Sequence, residues 1–342
     1  MKYHLQCAFK SNHIILFLLH LNHDMKRDIT LLINKSEITA GTRGASLGPE
    51  AIMTAARKVQ SNYFGQYPIK HVDEFNYMLD HDVRYPFSKR IQGLVKVFKS
   101  VSDNVQEILA DGKFPLVIAA DHGSAGGTIA GIKAAYPTKR LGVVWIDAHG
   151  DLHTPYTTPS GNMHGMPLAT ALNDDNRQVG INSLSDEVAS MWEELKSTGI
   201  KGPKINPEDL VFIAVRDTEA QEDAIMNRLN IKNHTVAEVR EKGMEAIISE
   251  VNSQLSDCDI IYISFDVDSM GPEFTSHGTG TPVDNGLKPE EAEYFLGELA
   301  KNEKTVCIEF VEVNPCLDEK TNKMAEVTFD LLEKTTRSLE TK

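Results

Sequence analysis

Asp147-Ala-His149-Gly-Asp151 follows the apolar run Leu141-Gly-Val-Val-Trp-Ile146, and Asp266-Val-Asp268 closes a second such run, Ile260-Ile-Tyr-Ile-Ser-Phe265. Carboxylates and imidazoles are the ligands that divalent cations of the magnesium, manganese or cobalt type accept. In an extended chain alternate side chains share a face, so Asp147, His149 and Asp151 are expected to point one way, as are Asp266 and Asp268. A third apolar run, Phe114-Pro-Leu-Val-Ile-Ala-Ala120, stops at Asp121-His122 and adds His122 to the same edge. Four carboxylates gathered there (Asp147, Asp151, Asp266 and Asp268) repel one another at low dielectric unless cations or shifted pKa values relieve them. Two divalent ions balance four negative charges, and a pair of bridging carboxylates lets each ion fill its coordination sphere. The expected centre is therefore dinuclear.

A lone Asp-x-His-x-Asp is most often a surface turn, and Asp-x-Asp after a strand is weaker still. Three such strand ends in one chain are harder to assign to coincidence, because ligands of open α/β sheets bind at the carboxyl ends of parallel strands. The elements that must position these residues follow the same rhythm. Strand candidates at 29–33, 115–120, 141–147, 210–215, 259–265 and 305–311 alternate with helical patterns, the mark of an α/β protein. Residues 88–110 repeat apolar positions at helical spacing up to Gly112, and residues 235–255 contain a second helix beginning near Val239. A polar insertion at about 171–207 carries a surface helix from Ser185 to Leu195 and is expected to border the substrate entrance. A last amphipathic helix follows Asp318.

At 342 residues, with 41% apolar and 25% charged content, the chain suits one large α/β domain. A formal charge of −14 without a basic stripe argues against a nucleic-acid partner and favours small cationic substrates. Four cysteines without a CxxC pair fit reduced thiols and a cytoplasmic setting, with Cys258 and Cys307 in or beside apolar runs. The apolar stretch His13–Leu21 is too short to span a bilayer, and Asn22-His-Asp-Met-Lys-Arg is a poor cleavage site. No membrane partner is expected. Residues 1–24 are taken as an extension outside the fold, with the domain running from 25 to 342.

Six ordered motifs resemble the ureohydrolase family, which includes arginases, agmatinases and formimidoylglutamases. They are Gly41-Thr-Arg-Gly-Ala-Ser-Leu-Gly-Pro-Glu50, Asp121-His122, Asp147-Ala-His-Gly-Asp151, Ser264-Phe-Asp-Val-Asp268, Gly278-Thr-Gly-Thr-Pro282 and Glu312-Val-Asn-Pro315. Ser160-Gly-Asn-Met-His-Gly-Met-Pro167 is similar to the loop of arginases, the bacterial type above all. The resemblance implies a single-domain, three-layer α/β/α fold with a mainly parallel central sheet. It also implies hydrolysis of L-arginine to L-ornithine and urea by a hydroxide shared between two metal ions, manganese being the family expectation and cobalt a substitute.

By the same resemblance His122, Asp147, Asp151 and Asp266 hold one ion, and Asp147, His149, Asp266 and Asp268 the other. Glu312 clamps the guanidinium, with Thr281 near it, while Asp151 and His164 deliver the proton to the leaving amine. Thr158, Ser160 and His153 match positions that receive the α-carboxylate, and Asn162 and Glu219 positions that meet the α-ammonium. The chain departs from the pattern at His153, where Asn is usual, and at Glu219, where Asp is usual. It departs again at Ala119-Ala120 before Asp121, at Gly123 after His122, and at Gly271, which is expected to loosen the loop after Asp268. The resemblance also implies a homo-oligomer, a trimer or hexamer. Another substrate of the family (agmatine, a guanidino acid or N-formimidoylglutamate) and a non-catalytic metal-binding homologue are the alternatives.

Overall fold

The computed structural model describes residues 27–341, so the expected extension at 1–24 lies outside the described residues. Eight strands form one sheet: β1 Ile29–Asn34, β2 Ile69–His71, β3 Phe114–Ala119, β4 Leu141–Ile146, β5 Leu210–Ile213, β6 Lys232–His234, β7 Ile260–Asp266 and β8 Thr305–Val311. Their order is β2-β1-β3-β8-β7-β4-β5-β6, and every pairing is parallel. Both faces of the sheet are covered, which is why the central strands read as continuous apolar runs rather than alternating ones. Along β4, Val144 and Ile146 enter one core while Leu141, Val143 and Trp145 enter the other.

Helices α1 (Gly48–Lys58), α7 (Val236–Lys242), α8 (Met244–Gln254), α9 (Pro289–Lys301) and α10 (Lys323–Glu340) cover the first face with residues such as Ile52, Val239, Ile247, Phe295 and Leu332. The second face is covered by α2 (Ile91–Ala110), α3 (Ala125–Ala135), α4 (Pro167–Leu172), α5 (Asp186–Ser197) and α6 (Ala220–Leu229), through Val97, Ile129, Leu168, Trp192 and Ile225. The result is the three-layer α/β/α architecture with a parallel sheet.

Several boundaries differ from the sequence reading. Helix α2 begins at Ile91 rather than Ser88, because Arg90 is left-handed at φ 59°. The segment expected to hold one helix from about Val239 holds two. Thr235 caps the first from Val236, its hydroxyl accepting the N–H of Glu238, and Gly243 at φ 87° ends it. The short edge strands β2 and β6 are not evident in the sequence, since three half-buried residues carry no periodic signal.

The insertion at 171–207, though polar in sequence, packs through apolar side chains. Ser185 caps α5, whose inner face buries Trp192 and Leu195 completely. Asp175 accepts hydrogen bonds from Trp192 Nε1 at 2.9 Å and Lys196 Nζ at 2.7 Å. Asn182 Nδ2 ties the segment to the loop after β4, donating to the carbonyls of Thr158 (2.7 Å) and Pro155 (3.1 Å), and none of its residues lines the cavity at the strand ends where it was expected to border an entrance.

Candidate metal centre and substrate cavity

Four adjacent strands, β3, β8, β7 and β4, end side by side and deliver His122, Glu312, Asp266 and Asp147 to one place. The loops there are not extended as the alternation argument required. His149 N–H donates to Asp147 Oδ1 at 2.7 Å, and Asp268 N–H to Asp266 Oδ1 at 2.9 Å, so each strand ends in the same two-residue side-chain turn. Asp151 then sits at φ 50°, and Glu312 after β8 at φ 70°. Non-glycine residues occupy that region only under constraint, and such strain concentrates at functional sites. The turns therefore do what extension was expected to do.

Nδ1 of His122 lies 3.0 Å from Asp147 Oδ2, 3.1 Å from Asp151 Oδ2 and 3.2 Å from Asp266 Oδ2. That nitrogen is buried and has no hydrogen-bond partner. Ligands about 2.1 Å from an octahedral ion sit about 3.0 Å from each other, so this spacing suits a cation at the centre. His149 Nδ1 is 3.5 Å from Asp147 Oδ1 and 3.1 Å from Asp268 Oδ2, a second group that shares Asp147 with the first.

The surroundings orient these atoms. His122 Nε2 is 2.7 Å from Ser264 Oγ, which leaves Nδ1 to face the carboxylates. The His122 ring stacks on Trp145, centroids 4.0 Å apart, and Trp145 Nε1 donates to Asp147 Oδ2 at 2.9 Å. Gly123, where the family pattern has a larger residue, is filled by Thr39: a Cβ there would stand 2.3 Å from Thr39 Oγ1. Nor is the loop at Gly271 loose, for Gly271 N–H bonds Leu287 O at 3.0 Å and Leu287 N–H returns to Ser269 O at 2.8 Å.

The electrostatics ask for positive charge. Burial pushes the Asp266 carboxyl well up, with Asp268 and Asp147 adding to it, and burial raises Asp151 with help from Asp147. Asp147 goes the other way: burial opposes its ionisation, but the imidazoles of His122 and His149 beside it hold it below the usual carboxylate range. Burial disfavours charge on His122 and His149 too, yet the surrounding carboxylates outweigh it and raise both. Buried carboxylates and imidazoles crowded in this way are stabilised by bound positive charge. The donor set fits two hard or intermediate divalent ions.

A cavity of about 290 Å³ opens beside the cluster, lined among others by His149, Asp151, His153, Thr158, Ser160, Asn162, His164, Glu219 and Thr281. Gly161 lets its loop pass Pro86: at φ 77°, a Cβ would lie 1.7 Å from Pro86 O. Thr158 and Ser160 hydroxyls sit 3.5 Å apart, and Thr281 Oγ1 donates to Asp268 Oδ2 at 3.1 Å. His164 Nδ1 is 3.6 Å from Glu312 Oε1. Burial disfavours a charge on His164, but Glu312 outweighs it and raises the imidazole; Asp121 is pushed up to about 7 by burial and by Glu312.

All the residues singled out in the sequence are thus neighbours, but two pairings at the mouth were not foreseen. His153 Nε2 donates a hydrogen bond to Glu219 Oε2, so residues assigned to the two charged groups on one α-carbon meet each other. Lys89 Nζ donates to Asn162 Oδ1 at 2.9 Å; a lysine ammonium only donates, so Nδ2 is left as the free group of Asn162. Also missed were Trp145, Ser264 and Glu222. Glu222 sits three residues after Glu219 in a capping box at the start of α6, a spacing that was readable beforehand.

Residues 28–336 match the model of the Arginase family. An arginase of Brevibacillus brevis is 33% identical over 309 residues, 90% of this chain and 97% of that protein. An arginase of Bacillus caldovelox is 34% identical over 298 residues, 85% of this chain and 91% of that protein. The crystal structure of the Bacillus caldovelox arginase superposes with a TM-score of 0.75 at 31% identity, covering 91% of this chain and 98% of that one.

Proposed function

The chain belongs to the arginase family, and on that premise we propose that it hydrolyses the guanidinium group of L-arginine to L-ornithine and urea. The observation that carries this reading is that two His/Asp ligand groups sharing Asp147, with Glu312 bonded to His122 N–H, stand at the edge of a cavity lined by the Thr158–Ser160 hydroxyl pair.

Two divalent cations, manganese by family expectation with cobalt as a substitute, would be held by His122, Asp147, Asp151 and Asp266 and by Asp147, His149, Asp266 and Asp268. When bound, they supply Lewis acidity and lower the pKa of water towards neutrality. Glu312 accepts parallel hydrogen bonds from the planar guanidinium and holds its carbon in line for attack. Its main-chain strain and its bond from His122 N–H at 2.8 Å fix the carboxylate before substrate arrives.

As the bond to ornithine breaks, the leaving nitrogen needs a proton. Asp151 and His164 are the groups placed beside the cavity to move it, and His164, held by Glu312, carries protons between the cavity and solvent. At the mouth, Thr158 and Ser160 donate to the α-carboxylate. Asn162, with Nδ2 free, suits the same group better than it suits the α-ammonium. Glu219 meets the ammonium with a carboxylate one of whose oxygens already contacts His153.

That last pairing favours a second reading, a guanidino acid without an α-ammonium, in which the His153–Glu219 contact stays closed. The test is urea release from L-arginine, agmatine and guanidinobutyrate by chelated protein before and after manganese or cobalt is restored. Arginine as the best substrate supports the first reading, and guanidinobutyrate the second. Urea from none of them after reloading leaves a non-catalytic metal-binding homologue.

A further inference from the structure

Lys89, just before α2, lies half-buried against the loop Thr158–Asn162 and is bonded to it twice. Its main-chain N–H donates to Gly161 O at 2.9 Å, and its Nζ donates to Asn162 Oδ1 at 2.9 Å. Among the described residues that ammonium meets the Asn162 oxygen and pairs with no carboxylate. A fixed positive charge therefore stands directly behind a residue of the cavity mouth.

An ammonium has three protons and no lone pair, so the Asn162 atom that faces Nζ must be the oxygen, and the amide group left over is a donor. Chemistry fixes that choice, because the two ends of an amide side chain have nearly the same shape. Gly41 leaves room for the nitrogen: a Cβ there would stand 2.7 Å from Asn162 Nδ2. The rest of the loop behaves alike. Thr158 Oγ1 accepts Gly161 N–H at 3.0 Å and Ser160 Oγ accepts Asn162 N–H at 3.2 Å, so the main chain occupies hydroxyl lone pairs and leaves the hydroxyl protons to donate. Thr158, Ser160 and Asn162 all line the cavity. This side of the mouth offers donors beside a positive charge, surroundings that attract a carboxylate and repel an ammonium.

We propose that Lys89 determines specificity at the mouth: by holding the Asn162 amide as a donor and adding its own charge, it selects guanidines that carry a carboxylate at the end remote from the guanidinium. This assignment rests on the guanidine-hydrolase reading of the cavity. L-Arginine and guanidinobutyrate both meet the requirement, and agmatine does not. Lys89 stands outside the cavity lining and acts through Asn162, so it is a positioning residue. Its removal weakens the binding of ground state and transition state alike, which raises KM and leaves kcat unchanged.

The experiment compares manganese-loaded wild type, Lys89→Met and Lys89→Arg at equal metal content. Lys89→Met removes donor and charge, and Lys89→Arg keeps both. For urea release, Lys89→Met is expected to raise KM for L-arginine and guanidinobutyrate about tenfold at unchanged kcat, and Lys89→Arg to restore it. The KM of agmatine, or its inhibition constant where it is not turned over, stays within about twofold. A rise shared equally by agmatine, a fall in kcat, or no rise at all overturns the assignment. Calorimetric titration with L-ornithine and putrescine repeats the comparison without turnover, so a lack of urea counts against the hydrolase reading and not against Lys89. The wild type is expected to prefer ornithine, and Lys89→Met to narrow that preference about tenfold. An unchanged preference, or none in the wild type, overturns the assignment. Lys89→Gln, which loses the charge, replaces Lys89→Met should that variant lose metal or fold, with the same direction expected.

Discussion

The main-chain N–H of His122 donates to Oε1 of Glu312 at 2.8 Å, tying the turn that follows β3 to the residue after its neighbour β8. One side chain thus links the metal cluster to the proposed guanidinium clamp. The same Oε1 stands 3.6 Å from His164 Nδ1, so Glu312 joins the candidate ligand group to the proposed proton carrier.

Glu312→Gln keeps an oxygen for His122 N–H but loses the charge that meets the guanidinium. We expect kcat/KM for urea release to fall about 100- to 1,000-fold, or about 3–4 kcal/mol of transition-state stabilisation, with metal content unchanged. Loss of metal together with activity would assign Glu312 to the ligand shell instead.

His164→Ala and Asp266→Ala separate proton delivery from metal binding. A positioned acid or base contributes about 10²–10⁴-fold, so His164→Ala is expected to retain measurable turnover and full metal. Asp266→Ala should lose bound metal and nearly all activity. Equal, complete losses with metal retained in both would contradict this order.

Trp145 lies behind the site and touches no substrate, yet it stacks on His122 and donates to Asp147. Trp145→Phe keeps a ring and removes the indole N–H. Outer-shell partners of this kind are worth about 10–100-fold in metal affinity, so manganese titration of the chelated variant should show a weakening in that range. An unchanged affinity means that the bond to Asp147 does not orient the ligand.

Asp175 anchors the insertion through Trp192 and Lys196, and its pH dependence has a definite sign. Burial opposes its charge, but the hydrogen bond from Lys196, then those from Trp192 and Arg177, hold its carboxyl below the usual value. A depressed folded-state pKa contributes stability above the unfolded-state pKa and loses it as pH falls through the folded one. Asp175→Asn should therefore lower stability by about 1–2 kcal/mol at neutral pH, the partly solvated side lessening the effect. In urea denaturation the gap between variant and wild type should narrow in acid, below the ordinary aspartate range; a gap that widens there reverses the sign.

The α/β class, the central strands and the candidate ligand residues were all readable in the chain. A buried parallel strand must be apolar on both faces, and a metal centre requires side chains of few kinds. Asp147, His149, Asp266 and Asp268 therefore announce themselves wherever they are met. Glu312 and the Ser160-Gly-Asn loop were legible through family resemblance rather than through any local pattern. The short edge strands were not legible, nor was the break at Gly243 inside a helical stretch.

What the linear order could not decide is which groups face each other. His153 and Glu219 are 66 positions apart, Trp145 and His122 are 23, and both contacts depend on how strands β3 and β4 and helix α6 come together. The side-chain turns at Asp147 and Asp266 and the left-handed backbones of Asp151 and Glu312 belong to the same class. Local preference alone would favour an extended chain there, and only packing around the crowded strand ends pays for the strain. Residue types carry their chemistry with them, whereas distance, register and desolvation arise when separate segments are brought together.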